Sequence, residues 1–493
     1  MTALAAAPPL LLSTKRGRLM LALLCSVAFL DFVDASITNV ALPDIRDDLG
    51  FSVQGLQWVP SGYLLTYGGF MLLGGRLADL LGRRKILIAG TVLVGLSSLV
   101  GGFAQDPGTL IAARLAQGLG AALMLPAALS ILTSTFREGP DRHTALGAWG
   151  GVGGFASAVG VFVGGVLTDG PGWRWVMFVN PIACVLVLAG IFRLIETDEP
   201  RPRGARFDVA GSVLVTGGML TLVFALVKAP DQGWASGRTI LELVAAAALL
   251  GAFLIVESVQ RSPLLSLDTL RIKGLAAANV TGLIAFAGML AMFFFLTLYM
   301  QNVLGYSPIK TGLAYLPMTA GVAVSAGFCS QLLTKVGTRP VILAGALIAS
   351  GGLFYLAQLS ADGTYPGDLL PGMLIVSVGL GAVFVGVVTA ANAGVPPDKA
   401  GLAAALLNSS QQIGGALGLA IFSAIATART RDLLEGGSEL PSALTDGFHR
   451  ALLTGAVFAL VAAGLALRTT NSRGHVEGDG PVLEPAAISQ AAD

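Results

Sequence analysis

Two carboxylates, Asp31 and Asp34, stand in the stretch FLDFVDASITNVALP, Phe29 to Pro43, inside an apolar run that begins at Leu19 and ends before Asp44. A charged side chain near the centre of a bilayer costs about 2.5–3.5 kcal/mol even on the mildest insertion scale. The chemistry open to a carboxyl in such a place is binding and release of a proton. Desolvation raises its pKa toward the working pH, and a nearby cation lowers it. The alternative is a permanent ion pair that holds helices together. Read as a helix, the segment puts Asp31 at the centre of its span and Asp34 about 4.5 Å nearer one face, at 1.5 Å per residue. Asp31, Asp34 and Thr38 are then expected to form one polar stripe, facing protein or a water-filled cavity.

Arg114 is the one cation placed inside a span. A guanidinium keeps its proton. Helix rise puts Arg114 about 7.5 Å below the face at which Asp34 lies about 12 Å deep, so long side chains can meet. Snorkelling to the interface is the competing reading.

The elements that must position these groups are membrane spans. The 493-residue chain is 54% apolar and 12% charged, with mean hydropathy +0.77, whereas a soluble protein carries about 25% charged residues. A formal net charge of +1 gives no sign of a nucleic-acid partner. At about 20 apolar residues per span, fourteen are expected: 19–42, 56–75, 86–104, 109–135, 144–168, 176–195, 208–228, 239–259, 275–303, 311–333, 340–359, 367–392, 399–426 and 450–468. Tails and even-numbered loops hold 21 Lys and Arg against 8 in odd-numbered loops, which places both termini in the cytoplasm.

Two internal echoes suggest a repeat. Gly82 and Arg84, in GRLADLLGRRKIL, answer Gly337 and Arg339, in SQLLTKVGTRPVIL; Gly118-Leu119-Gly120-Ala121 answers Gly379-Leu380-Gly381-Ala382. The expected organisation is a cytoplasmic tail (1–18), a six-helix bundle (19–200), a linker with two inserted spans (201–273), a second six-helix bundle (274–468) and a disordered cytoplasmic tail (469–493).

Gly75-Arg76-Leu77-Ala78-Asp79-Leu80-Leu81-Gly82-Arg83-Arg84-Lys85 resembles the loop signature of the major facilitator superfamily, and Arg114-Leu115-Ala116-Gln117-Gly118-Leu119-Gly120 its fourth-span signature. The first-span run Asp34 to Pro43, and Trp173-Arg174-Trp175 followed by Asn180-Pro181, resemble motifs of its fourteen-span drug:proton antiporter family. The resemblance covers essentially the whole chain. It implies an all-α fold of two six-helix bundles with a midplane substrate site. It implies proton-coupled efflux of amphipathic drugs, antibiotics or metabolites from a bacterial plasma membrane, with Asp34, Asp31 and Arg114 in proton coupling or substrate binding. It also implies a cytoplasmic gate built on Gly75, Asp79, Gly82, Arg83 and Arg84, whose acidic position is Thr334 in the second half. The family's Gly-Pro in span five is Gly160-Val161 here, so no proline bends that span.

Thr38, Tyr63, Tyr67, Gln117, Asn408, Gln411 and Gln412 are candidate pocket residues, because aromatics with few fixed polar groups suit varied amphipathic ligands. In span five, Gly150 and Gly154, and Gly160 and Gly164, have the spacing of close helix packing. No catalytic equipment is evident. His143, His449 and His475 fall in loops or tails, Cys25, Cys184 and Cys329 read as buried hydrophobes, and there is no metal spacing or phosphate loop. The expected partners are a small-molecule substrate, protons and lipid, with no cofactor and no obligate protein partner. A nutrient facilitator or importer shares the fold but leaves two midplane acids without a coupling role. A membrane-embedded enzyme lacks its residues.

Overall fold

The structure, a computed structural model, describes residues 11–136, 140–197, 208–260, 272, 274–395 and 400–473. The side chains of Asp79, His143, Gly150 and Gly154, all of Gln54 and Leu72 beyond their backbone, His475, and most of the two polar linkers lie outside the described residues.

Fourteen long helices carry the described chain: α1 (Lys15–Leu49), α2 (Trp58–Leu81), α3 (Arg83–Gly102), α4 (Pro107–Thr135), α5 (Pro140–Asp169), α6 (Arg174–Leu194), α7 (Val209–Gln232), α8 (Gly237–Val259), α9 (Leu275–Leu298), α10 (Pro308–Val336), α11 (Thr338–Leu356), α12 (Leu370–Asn392), α13 (Ala400–Glu435) and α14 (Leu440–Ala466). Eleven of them, among the described residues, are long and apolar enough to cross a membrane. The other three expected spans fall on α2, α5 and α7, each of which contains residues outside the described set.

Local chemistry explains the helix ends. The Thr14, Asp106 and Ser307 side chains accept from the backbone N–H groups of Gly17, Thr109 and Lys310 at the starts of α1, α4 and α10, and Pro107 and Pro308 occupy the first turn, where no N–H is needed. Helix α1 runs beyond the expected span bound at residue 42, through Pro43, to Leu49. Pro43 offers no N–H to the Asn39 carbonyl, and the next carbonyl, Val40 O, accepts Gln301 Nε2 at 2.9 Å.

Helices α1–α6 and α9–α14 form two sets with the same neighbour pattern. The pairs α2/α4, α3/α4, α1/α5, α3/α6 and α1/α6 recur as α10/α12, α11/α12, α9/α13, α11/α14 and α9/α14. The turn glycines Gly82 and Gly337 match, with φ +112° and +90°, a region that favours glycine. The glycine echo shifts by two residues. A Cβ on Gly120 would press on Gly90 O of α3 and one on Gly379 on Gly345 O of α11, so Gly120 is the structural counterpart of Gly379. Gly118 faces α2 instead, where a Cβ would meet Tyr63 O at 2.1 Å. Identical letters aligned the wrong faces, because residues two apart on a helix point about 200° apart.

The sets meet along symmetric seams. Gly68 of α2 crosses Gln412 and Ile413 of α13, and Gly165 of α5 crosses Pro308 and Ile309 of α10. The α5/α10 crossing and the Val40–Gln301 bond lie at the end remote from the chain termini. Helix α7 packs on α2, α13 and α8, with Thr216 Oγ1 donating to Gly69 O at 3.1 Å. The expected terminal tails are pinned where they are described. Leu11 N donates to Asp141 Oδ2 at 2.6 Å, and Thr338 and Arg339 bind the Thr469–Ser472 segment, with Arg339 Nη2 on Thr469 O at 2.8 Å.

Gly74 sits where its Cβ would come within 2.0 Å of Ala122 O, whereas one on Gly75 would meet Pro126 at an ordinary 3.7 Å. Close approach to α4 therefore falls to Gly74 and not to Gly75. Gly74→Ala is expected to lose about 1–3 kcal/mol by overpacking, read as a lower unfolding temperature in detergent, with Gly75→Ala unchanged.

Candidate functional site

The site is built where α1 meets α2, α3, α4 and α6. Asp34 and Arg114 are each 1% exposed. Arg114 Nη1 donates to Asp34 Oδ2 at 2.8 Å and to Gln117 Oε1 at 2.9 Å, and Arg114 Nε donates to Val59 O at 3.1 Å. Asp34 Oδ1 accepts from Gln117 Nε2 at 3.0 Å and from Asn180 Nδ2. Ser98 Oγ accepts from both amides, at 2.9 and 3.0 Å, and donates to Met177 O at 3.0 Å. The guanidinium carbon lies 4.4 Å from the centroid of the Tyr63 ring, a cation–π contact in a water-poor setting. Arg114 is thus directed inward and does not snorkel.

Asp31, 5% exposed, faces a different neighbour. Its Oδ1 accepts Tyr63 Oη at 2.7 Å and its Oδ2 accepts Tyr67 Oη at 3.0 Å. The two rings meet edge to face at 5.6 Å. The single polar stripe expected on α1 is therefore divided. Three residues turn a helix by about 300°, which leaves Asp31 toward α2 and Asp34 toward α4 and α6. Thr38 is buried and donates to Asp34 O at 3.0 Å, so it serves α1 itself.

Close backbone approach makes these reaches short. Gly118 lies against Tyr63 O and the Thr66 hydroxyl, and Gly160 and Gly164 of α5 lie against Ser36 and Ile37 of α1. Thr66 Oγ1 also donates to Leu115 O at 2.8 Å, tying α2 to α4.

The structure brings together Asp34, Arg114 and Gln117, with Asp31, Tyr63 and Tyr67 beside them. Asn408, Gln411 and Gln412 stand on α13: Asn408 Nδ2 donates back to Ala404 O at 3.0 Å, Gln411 is buried, and Gln412 packs at the Gly68 crossing. Ser98 and Asn180 were not singled out by sequence reasoning. Asn180 lay in the quoted Asn-Pro motif, but Ser98 carries no sequence signal, because a lone serine in a span usually bonds its own helix. Of the other span aromatics, Phe294, Phe295 and Tyr299 are core.

Of the residues expected to form a gate, Arg83 and Arg84 are half-buried, with the Arg84 guanidinium 5.5 Å from the Phe192 ring centroid. Thr334 is exposed and turns back to Gln331 O at 2.7 Å. His449 contacts Leu359 O and lies 3.8 Å from Asp446. Among the described residues no group of three or more His, Cys, Asp or Glu is placed to hold a metal, and the three cysteines are free thiols. An apolar groove of about 600 Å³ between α10, α11 and α12 contains none of the candidate residues.

Many apolar helices around a buried, charge-paired polar centre define a polytopic membrane protein. Residues 24–419 match the Major Facilitator Superfamily, and the chain belongs to that family. It is 38% identical to the puromycin resistance protein pur8 of Streptomyces alboniger, over 89% of this chain and 88% of that one. It is 36% identical to the cephamycin export protein CmcT of Amycolatopsis lactamdurans, over 92% of each. Among solved structures, an inward-facing, unoccupied bacterial homolog of the human lysosomal transporter Spinster shares the fold, with a TM-score of 0.64 at 17% identity, over 92% of this chain and 97% of that one. The protein is a multi-pass transporter of the bacterial plasma membrane.

Removing one partner of a buried pair leaves a bare charge and costs about 3–5 kcal/mol, while removing both with apolar replacements can be nearly neutral. Arg114→Met and Asp34→Asn are each expected to lower the unfolding temperature in detergent. The Asp34→Leu/Arg114→Met double variant is expected to recover most of the loss.

Proposed function

We propose that the chain is a proton-coupled antiporter that exports amphipathic drugs, antibiotics or related metabolites by alternating access. The observation that carries this reading is the buried centre of α1 and α4, where two carboxyls and one guanidinium share a site at mid-helix depth. Ionisable groups kept at such a cost mark ion or substrate pathways. The puromycin resistance and cephamycin export proteins it resembles support antibiotics as the substrate class.

In this reading α2, α5 and α7 complete fourteen spans, α1–α6 and α9–α14 are the two rocking bundles, and α7 and α8 are the inserted pair. Both termini are cytoplasmic, in keeping with the distribution of Lys and Arg. The seams at the end remote from the termini then close the outer side, and the substrate path opens inward. Gly82 turns the chain at the cytoplasmic gate, and Asp79, Arg83 and Arg84 latch it. The latch is asymmetric, since Thr334 has no charge to offer.

Proteoliposomes with an imposed pH gradient are expected to accumulate ethidium, puromycin or a cephem antibiotic, and Asp34→Asn is expected to abolish this. An Asp34→Asn protein that exchanges protons and drug as well as wild type would refute the coupling role of this centre. Asp79→Asn is expected to change the accessibility of a cysteine introduced near the cytoplasmic end of α2 to a thiol reagent; unchanged labelling would count against the latch.

A further inference from the structure

The buried centre holds two acids and one base. With both carboxyls ionised its formal charge is −1, and one proton makes it neutral. Beyond Asp31, Asp34 and Arg114, the segments 144–168 of α5, 175–192 of α6, 275–309 of α9 and its continuation, and 400–428 of α13 contain no Asp, Glu, Lys, Arg or His. The same holds for 58–75 of α2, 86–102 of α3 and, Arg114 apart, 107–135 of α4, so no other charge within these segments can balance the site.

The two carboxyls are not equivalent receivers. Asp34 accepts Arg114, Gln117 and Asn180, and both amides are fixed by Ser98. A proton on Asp34 would strand the guanidinium, whose remaining partners are the Val59 carbonyl, the Gln117 amide oxygen and the Tyr63 ring. None of these carries a formal charge. Asp31 meets only hydroxyls, those of Tyr63 and Tyr67, while Arg114 on α4 and Asp34 on its own helix are its charged neighbours. A hydroxyl can donate or accept, so both contacts survive protonation of Asp31 once one tyrosine reverses its role.

We propose that Asp31 is the group that takes up and releases the transported proton, and that Asp34 and Arg114 form a clamp that stays charged throughout the cycle. This rests on the proton-coupled efflux reading. One O–H bond forms on an Asp31 carboxyl oxygen with a proton from water and breaks to return it to water. No bond to substrate is made. Tyr63 links the two parts, since its hydroxyl binds Asp31 while its ring lies on Arg114, so a change of charge at Asp31 is felt across α2 and α4.

The test uses the full-length protein in proteoliposomes with ethidium and puromycin as probes, in two assays: accumulation driven by a pH gradient, and probe-for-probe exchange at equal pH. Asp31→Asn should lose the first and keep the second, and Asp31→Glu should restore the first. Asp34→Asn should lose both. Gradient-driven accumulation by Asp31→Asn at the wild-type level would overturn the proposal, as would an Asp34→Asn protein that keeps exchange and loses only the gradient response. If wild type itself ignores the gradient with both probes, the efflux reading fails instead. Infrared spectra of the purified protein then still decide the assignment: a protonated-carboxyl band that responds to pH should move in Asp31→Glu and stay in Asp34→Glu, and the reverse pattern would overturn it.

Discussion

The contact between Arg114 and Asp34 is the constraint around which the first six helices are arranged. Each charge would be prohibitive alone in a hydrocarbon setting, and together they remain costly unless every donor and acceptor finds a partner. The protein answers most of that demand, leaving the Asn180 carbonyl oxygen without a partner, with groups from five helices: Asp34 from α1, the Val59 carbonyl and Tyr63 from α2, Ser98 from α3, Arg114 and Gln117 from α4, and Asn180 from α6. Glycine makes the geometry reachable. Gly74, Gly90, Gly118 and Gly120 let α2, α3 and α4 touch at backbone level, where a methyl group would collide. In a membrane, such packing and polar contacts replace the hydrophobic drive that holds soluble helices together.

The second set of helices repeats the packing without repeating the charges. Gly345 and Gly379 reproduce the approach of Gly90 and Gly120, and Ser325 Oγ donates to Val378 O at 2.7 Å much as Thr66 Oγ1 donates to Leu115 O. The polar residues it buries, among those described, are uncharged, with Tyr315 bonded to Thr297 at 3.0 Å and to Phe293 O at 2.9 Å. One half thus carries the buried charges, and the other repeats its packing without them. The seams between them include glycine crossings, α2 on α13 and α5 on α10. Continuous packing along α5, with Val161 in place of proline, keeps the Gly160 and Gly164 face on α1 while Gly165 faces α10.

Much of the fold was legible because membrane spans write themselves as long apolar runs, and the turn glycines Gly82 and Gly337 stood out by type. The depth of Arg114 relative to Asp34 followed from helix rise alone, and their contact agrees with it. Faces were less legible. The Gly-Leu-Gly-Ala echo misled by two residues because identity of letters says nothing about which neighbour a face meets. The α1 helix runs past Pro43, and Gln301 from α9's continuation binds the adjacent Val40 carbonyl.

By itself the sequence determined that charges would be buried in membrane-spanning helices, which residues those were, and that glycine rather than bulk would set the helix spacing. Only the tertiary structure decided how they pair. Asp31 and Asp34 are the same residue type three positions apart, and nothing local distinguishes them. A helix turns about 60° short of a full turn between them, so each meets a different neighbouring helix. One receives a guanidinium and two amides, and the other receives two phenols. That difference lies in residues 32 to 146 positions away in the chain, brought together by packing.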